Sequence, residues 1–452
     1  MDLNDMDLIS RLPEDLIYRI MQRLRVRDAA RTCLVSKVWI NHFWPSYSNF
    51  EFSIRGESDQ KVELECSLIN ERLQKSCILQ NQSIKRLKLA VCWCSRYLTN
   101  NCSSFYDQLS HTAAEGKVVE LDLQFNSCLS REYVWNLQPI VLATNTIQVL
   151  KLGGDISLLS CSDVDVQLPL LHKLVLSHVE VDDEVLESLL SKCPLLTSVK
   201  IQGCGKLKKI ELLKHPLLSK VKVLDYSSSV LKKIEIRAQN LKNVAVERCR
   251  NQGFKMEIEI RALSVENVLV KDSSDLKTEI VASSLDNLLV QKCYTLTIEV
   301  EATCRLKRMC LQDIRMSDGN MFSKLVSKCL SIEEMVIERC DNFTSFKVQK
   351  IFHNLKKIVV GGCYHLKEIN IFEAPNLRHV ELTYCNNLEI LEMDAPMLEI
   401  ICLGAVKENI LEKLVSKWVS IKDMSFENCT GLNSLKLQGL PELKMGKSQE
   451  LW

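Results

Sequence analysis

The chain has 452 residues, 46% of them apolar and 25% charged, with 58 lysines and arginines against 57 aspartates and glutamates. A formal net charge of +1 excludes capture of a polyanion by bulk charge, although a local patch stays open. Fourteen glycines and nine prolines are too few for a disordered or collagen-like chain, so the length suits several ordinary domains or one long repeat array.

The unusual count is 20 cysteines. Met1–Ser10 is acidic and has no apolar run, so no signal peptide is expected. No stretch reaches the ~18 consecutive apolar residues of a membrane span. The thiols therefore read as reduced, and the Asn-x-Ser/Thr sites at Asn81, Asn101, Asn342 and Asn428 read as unglycosylated. A cytoplasmic or nuclear location follows from the same reading.

Residues 11–44 form a helical head. Pro13 suits a helix start, and Glu14 and Asp15 complement its positive end. Leu16, Ile17, Ile20, Met21 and Leu24 fall on one apolar face. Asp28 reads as the N-cap of a second helix through Ala29, Ala30, Cys33 and Leu34, and Trp39, Phe43 and Trp44 close the segment before Pro45. A head of this size cannot bury a core of its own, so it must dock on the rest of the chain or on another protein.

The run Leu12-Pro13-x-Asp15-Leu16-Ile17-x-x-Ile20-x-x-x-Leu24, followed by Asp28-Ala29-Ala30-Arg31-Thr32-Cys33-Leu34-Val35-Ser36-Lys37-x-Trp39, resembles a plant-type F-box. The resemblance implies a three-helix segment that binds the Skp-type adaptor of a cullin–RING ubiquitin ligase. It places adaptor contact on Leu12, Pro13, Leu16, Ile20 and Leu24, with Val35 and Trp39 holding or extending that surface. Core packing is the competing role for Leu16, Ile20 and Trp39. Seven basic residues against three acidic ones between Arg11 and Lys37 make the head positive.

From about Ser83 one phrase recurs, L-x-x-Φ-x-Φ-x-x-C with Φ aliphatic. Its last slot is cysteine at 92, 204, 249, 293, 340, 363, 385 and 429. Degenerate copies end at Asn126, Asp155, Val179, Tyr226, Ser273, Ile314 and Val406, which makes fifteen. This resembles the leucine-rich repeat, in which asparagine or cysteine fills a ladder slot. The Φ-x-Φ pair puts two aliphatics on one face of a short strand, and stacked neighbours bury that face together. Phe50, Phe52 and Ile54 read as the strand of an imperfect first repeat, and Val62–Ser76 as its helix. Return segments divide into helices (Asp182–Ser191, Asp318–Ser327, Lys407–Ser416) and short strands (Leu231–Ile236, Leu366–Ile371, Leu388–Met393). The repeats are expected to run to about Leu443, with no clear extra C-terminal domain expected.

The expected fold is thus α/β: a three-helix F-box over 8–50, then a leucine-rich-repeat solenoid over 51–452. Its inner sheet is parallel, with helices and short extended segments outside. No catalytic motif, phosphate loop or metal-ligand spacing is present, the Cys92-x-Cys94 pair with Cys102 included. Neither an enzyme nor a cofactor site is expected. Side chains flanking the aliphatic pairs mark a concave face for a target protein: Lys200, Gln202, Lys220, Lys222, Asn243, Glu247, Lys271, Glu334, Glu338, Glu381 and Glu427. Residues 200–244 hold 11 basic and 3 acidic residues, whereas 333–427 hold 15 acidic and 11 basic. This contrast either orients a ligand or reflects solvated lysines on the return segments, such as Lys208, Lys209, Lys232 and Lys233. Only Tyr226 is aromatic in the basic stretch, which argues against nucleic acid. The resemblance implies a substrate receptor that reaches a cullin through its adaptor. A protein-binding scaffold without a ubiquitination role is the alternative.

Overall fold

A computed structural model of the protein describes residues 12–35, 39–40, 47–56, 59–80, 84–93, 100–127, 134–159, 166–225, 230–247, 256–300, 305–315, 321–405, 410 and 421–427. The chain divides into two compact units, Met1–Leu207 and Lys208–Trp452.

The first unit begins with α1 (Glu14–Arg23) and α2 (Val26–Val35). Next come β1 (Asn49–Gly56), α3 (Asp59–Gln80), β2 (Arg86–Trp93), α4 (Asn100–Glu115) and β3 (Glu120–Ser127). A short pair, β4 (Trp135–Asn136) and β6 (Ile156–Ser157), brackets α5 (Pro139–Leu142) and β5 (Val149–Gly154). The unit ends with β7 (Lys173–Ser177), α6 (Asp183–Ser191) and β8 (Ser198–Gln202). Strands β1, β2, β3, β5, β7 and β8 pair in that order, all parallel.

Side chains alternate along each strand, so Phe50, Phe52 and Ile54 of β1 and Leu87, Leu89 and Val91 of β2 enter the core together. Asp182 caps α6 as its spacing predicts, accepting the Val185 N–H at 3.0 Å. The α4 helix was not legible as a return segment. Its signal is Phe105, Tyr106, Leu109 and Ala113, all buried, set within small polar residues of low helix preference. Tyr106 and Phe125 pack with ring centroids 4.6 Å apart, and Trp135 lies 5.1 Å from Phe125.

The second unit has two ladders. The front one consists of β10 (Lys220–Leu224), β12 (Asn243–Glu247), the first part of β14 (Asn267–Ala282) and of β15 (Asn287–Val300), β16 (Arg308–Gln312) and β17 (Glu334–Glu338). It continues through β19 (Lys357–Gly361), β21 (His379–Thr383), β23 (Ile400–Gly404) and β24 (Asp423–Glu427). The back ladder joins β9 (Lys209–Leu212), β11 (Lys233–Arg237) and β13 (Met256–Arg261) to the later parts of β14 and β15. Further along, β18 (Ser345–Ile351), β20 (Glu368–Glu373) and β22 (Ile390–Met393) pair in parallel. One helix, α7 (Met321–Lys328), replaces a back strand, and its Phe322 packs against Phe343 and Phe346 at 5.0 Å each.

All fifteen predicted phrases carry a strand that starts at their third residue. The expected return strands and the helices at Asp182–Ser191 and Asp318–Ser327 are present, with small shifts of boundary. The expected helix at Lys407–Ser416 lies outside the described residues except for Ile410, as does the end of the array after Glu427.

Two details of the head correct the sequence expectation. Pro13 is the N-cap rather than the first helical residue, and its carbonyl accepts from Leu16 and Ile17. Asp28 is not a cap: α2 starts at Val26, the Ala29 N–H reaches the Arg25 carbonyl at 2.9 Å, and Asp28 sits in the first turn. A carboxylate there still complements the helix dipole. The predicted third helix falls largely outside the described residues.

Among the described residues, a left-handed residue precedes the final slot of nine phrases: Gly154, His178, Gly203, Lys292, Asp313, Arg339, Gly362, Tyr384 and Ala405, with φ between 49° and 83°. This pivot turns the chain off the strand and points the slot residue inward. Only three of the nine are glycine, so the phrase gives no direct sequence sign of it.

Candidate functional site

Helix α1 carries two adjacent stripes. Ile17 and Met21 are 1% and 0% exposed and enter the core. On the other stripe Leu16 and Ile20, four residues apart, stand 41% and 38% exposed; Leu12 (36% exposed) and Pro13, also exposed, precede the helix, and Leu24 just past its end is half-buried. The head is tied down through α1's end. Tyr47 donates to the Leu24 carbonyl at 2.9 Å and Asn49 to the Gln22 carbonyl at 2.7 Å. Burial first, then the charge of Glu51, pushes the Tyr47 phenol up to about 12, so it remains a donor. Trp39 is buried with Ala29 and Cys33. It holds the head from within and does not lie on the exposed stripe. Val35 ends α2.

The open face of the sheet, away from the core, differs between the units. In the first unit it is charged and internally paired. Glu120 accepts from Arg86 at 2.7 Å and Lys151 at 2.6 Å, and Lys88 meets Glu51 at 2.6 Å. Burial works to raise the Glu120 pKa, but the hydrogen bonds from Lys151 and Arg86 outweigh it and hold the carboxyl below the usual range. Lys200 and Gln202 stand on this face on β8, half-buried.

In the second unit the central open-face column reads Lys222, Ala245, Leu269, Leu289, Cys310, Val336, Val359 and Glu381 in strict register. Six successive apolar residues, five half-buried and Val359 buried, thus form a ribbon where alternation predicts polar side chains. At ~4.8 Å per strand the ribbon is roughly 24 Å long. The predicted target residues line its two borders or cap its ends. Lys220, Asn243 and Glu334 stand on one border, Glu247, Lys271 and Glu338 on the other, and Lys222 and Glu381 at the ends. Glu427 lies in the Glu338 column, on the last strand. The ribbon itself was absent from the predicted set, because charge attracted the choice of residues and the apolar column is visible only across repeats.

The borders are largely satisfied within the chain. Asn267 donates to Asn243 at 2.8 Å and Asn287 to Asn267 at 2.7 Å, an amide ladder. Lys222 pairs with Glu247 at 2.8 Å, Arg308 with Glu334 at 3.5 Å, and Gln312 donates to Glu338 at 2.8 Å. On the back ladder, Arg237 links Glu235 and Glu259, and Arg261 links Glu259 and Glu279. Lys233 and Lys209 pair with Glu235 and Glu211. Much of the basic middle is therefore neutralised where it stands, and the return-segment origin accounts for it better than a ligand-orienting field.

The slot cysteines follow one pattern. Cys204, Cys293, Cys340, Cys363 and Cys385 each donate S–H to the carbonyl two residues back, at 3.5–3.6 Å. Cys340, Cys363 and Cys385 also reach a carbonyl of the preceding repeat at 3.6–3.8 Å, which ties neighbouring rungs. Burial pushes the Cys385 thiol up to about 12, and the hydrogen bond with Cys363 followed by burial raises that of Cys340. Cys340 and Cys385 are therefore protonated packing groups. Among the described residues no three His, Cys, Asp or Glu side chains gather as a metal would require, and no helix is long and apolar enough to cross a membrane. Cys94 of the predicted Cys92-x-Cys94 pair lies outside the described residues.

A small helical head followed by parallel-strand rungs defines a leucine-rich-repeat solenoid protein with an N-terminal helical segment. Family comparison agrees at both ends. Residues 9–43 match the F-box domain, 106–270 the leucine-rich repeats of the FBD-associated F-box protein At5g56370, and 273–400 the leucine-rich-repeat domain of At1g61320/AtMIF1. The chain belongs to the plant F-box/leucine-rich-repeat proteins. It is 23% identical to the F-box/FBD/LRR-repeat protein At5g44980 of Arabidopsis thaliana, over 96% of this chain and 93% of that one. It is 27% identical to the F-box/LRR-repeat protein At2g42720 of the same plant, over 44% of this chain and 46% of the relative. With the putative F-box/FBD/LRR-repeat protein At5g22670 the identity is 31%, over 43% of this chain and 40% of the relative.

Proposed function

We propose that this chain is the substrate-recognition subunit of an SCF-type E3 ubiquitin ligase. The observation that carries the reading is the outward stripe Leu12–Leu16–Ile20 within the segment matched as an F-box, set beside an inward stripe that already serves the core. Two aliphatics one turn apart on an exposed helix face, with Leu12 exposed just ahead of the helix, suit a partner helix laid along them. A Skp-type adaptor is that partner, and a cullin follows through it. The repeat sheet then holds a target protein, with the apolar ribbon of the second unit as the anchoring surface and its amide and charged borders as the rim. The chain acts by raising the effective concentration of target lysines near a ubiquitin-conjugating enzyme, so it needs no catalytic residue and no cofactor. Such a protein works in the cytoplasm or nucleus.

Co-purification with a Skp-type adaptor tests the reading. Leu12→Ala combined with Pro13→Ala is expected to abolish the complex, and an intact complex would move the docking surface elsewhere. Proximity labelling with and without proteasome inhibition separates a receptor, whose target accumulates on inhibition, from a scaffold, whose partners do not change.

A further inference from the structure

Between α2, β1 and α3 the first unit contains a groove of about 720 Å³. Its floor is apolar and already buried: Val26, Phe52, Ile54 and Ile69 are 1–9% exposed. Its walls combine two features that a solvated surface does not explain. Leu34 at the end of α2 and Leu68 on α3 line it and are 80% and 56% exposed, and Leu64, one helical turn before Leu68 and just outside the lining, is 62% exposed. Three leucines this open in one region mark a surface made to be covered.

The second feature is charge. Arg25, Arg27 and Arg31 line the groove and are exposed. Among the described residues none of the three guanidiniums pairs with a carboxylate. Of the two acidic side chains in the wall, Glu51 is held by Lys88 at 2.6 Å, which leaves Glu65 against three arginines. A guanidinium fork is matched by a carboxylate, and leucines by an aliphatic face. Both demands together describe an acidic amphipathic polypeptide segment. A small free anion would leave the leucines uncovered.

We infer that this groove is a second contact for the Skp-type adaptor, filled by an acidic amphipathic segment of it. The docking surface of the head then continues past α1 and onto the helix of the first repeat. The inference rests on the adaptor reading above. The choice of partner follows from continuity: the groove opens at Arg25, two residues after α1 ends, and Leu34 belongs to the same segment matched as an F-box. Leu64 and Leu68 lie outside that segment, at least 21 residues beyond its end at residue 43. A role for them in adaptor binding is therefore not expected from the F-box alone.

The test uses the full chain and a purified plant Skp-type adaptor, with affinity measured at low and physiological salt. Leu64→Ser with Leu68→Ser is expected to weaken binding roughly tenfold at both salts. Arg25→Gln, Arg27→Gln and Arg31→Gln together are expected to weaken it about tenfold at low salt and to flatten its salt dependence. All five side chains are exposed, and unchanged thermal melts would show that the fold is intact. If the wild-type chain binds and both variants bind equally well with the same salt dependence, the groove is overturned and the α1 stripe stands. If the wild-type chain itself does not bind, the adaptor reading falls and the groove inference falls with it. Preferential loss of captured target, with adaptor affinity unchanged, would also overturn it.

Discussion

The two units present their sheets to solvent in opposite ways. In the first, Arg86, Glu120, Lys151 and the Lys88–Glu51 pair cover the open face with charges that satisfy one another. In the second, Ala245, Leu269, Leu289, Cys310, Val336 and Val359 run uncharged across six strands. The inward residues hardly differ, because stacking demands aliphatics there in both. Only the open positions are free to vary, and it is there that the two faces differ in charge and polarity. A self-paired charged face is stable and indifferent to partners, whereas an apolar ribbon with satisfied borders gains from being covered.

The largest expected effect breaks the ribbon. Leu269→Glu with Leu289→Glu should remove most target proteins from a proximity-labelling profile taken under proteasome inhibition while adaptor binding persists. An unchanged profile would place recognition away from this face. Next comes the charged face. Glu120→Gln should cost about 2 kcal/mol in chemical denaturation, since it weakens hydrogen bonds to two cations. The folded pKa of Glu120 lies below its unfolded value of about 4.3, so its contribution is complete above that pH and is lost as pH falls through the folded value. The variant should therefore lose less stability on acidification than the wild type.

A smaller effect tests the slot thiols. Cys363→Ala removes S–H bonds to the Ile337 and Gly361 carbonyls and leaves a small void, for a loss of about 1–2 kcal/mol in the same measurement. The smallest sharpens the electrostatic question. Lys222→Ala should change stability by no more than about 0.5 kcal/mol and leave target capture intact, because its exposed pairing with Glu247 carries little energy.

Most of the fold was legible because the repeat makes the same demand fifteen times. One miscounted phrase would break the register of its neighbours, and every strand began where the phrase placed it. The α4 helix escaped because it obeys no repeat and its apolar residues are diluted by serine, asparagine and threonine. In the head, periodicity put Leu16 and Ile20 on one apolar face with Ile17 and Met21; the structure exposes the first pair and buries the second, only 100° away on the same helix. The open face of the second unit was half legible. Border residues such as Asn243 and Glu338 are polar and attract notice, while Leu269 and Leu289 look like core in a single phrase and declare themselves only when strands are aligned.

The left-handed pivots at the strand ends have a consequence for variation in this chain. At Arg339 or Tyr384, both outside the core, a valine, isoleucine or proline would oppose the backbone itself. A saturation scan would record intolerance at exposed, unremarkable side chains spaced one rung apart. That periodic intolerance belongs to the coil of the chain, and a map of ligand contacts drawn from it would be a map of hinges.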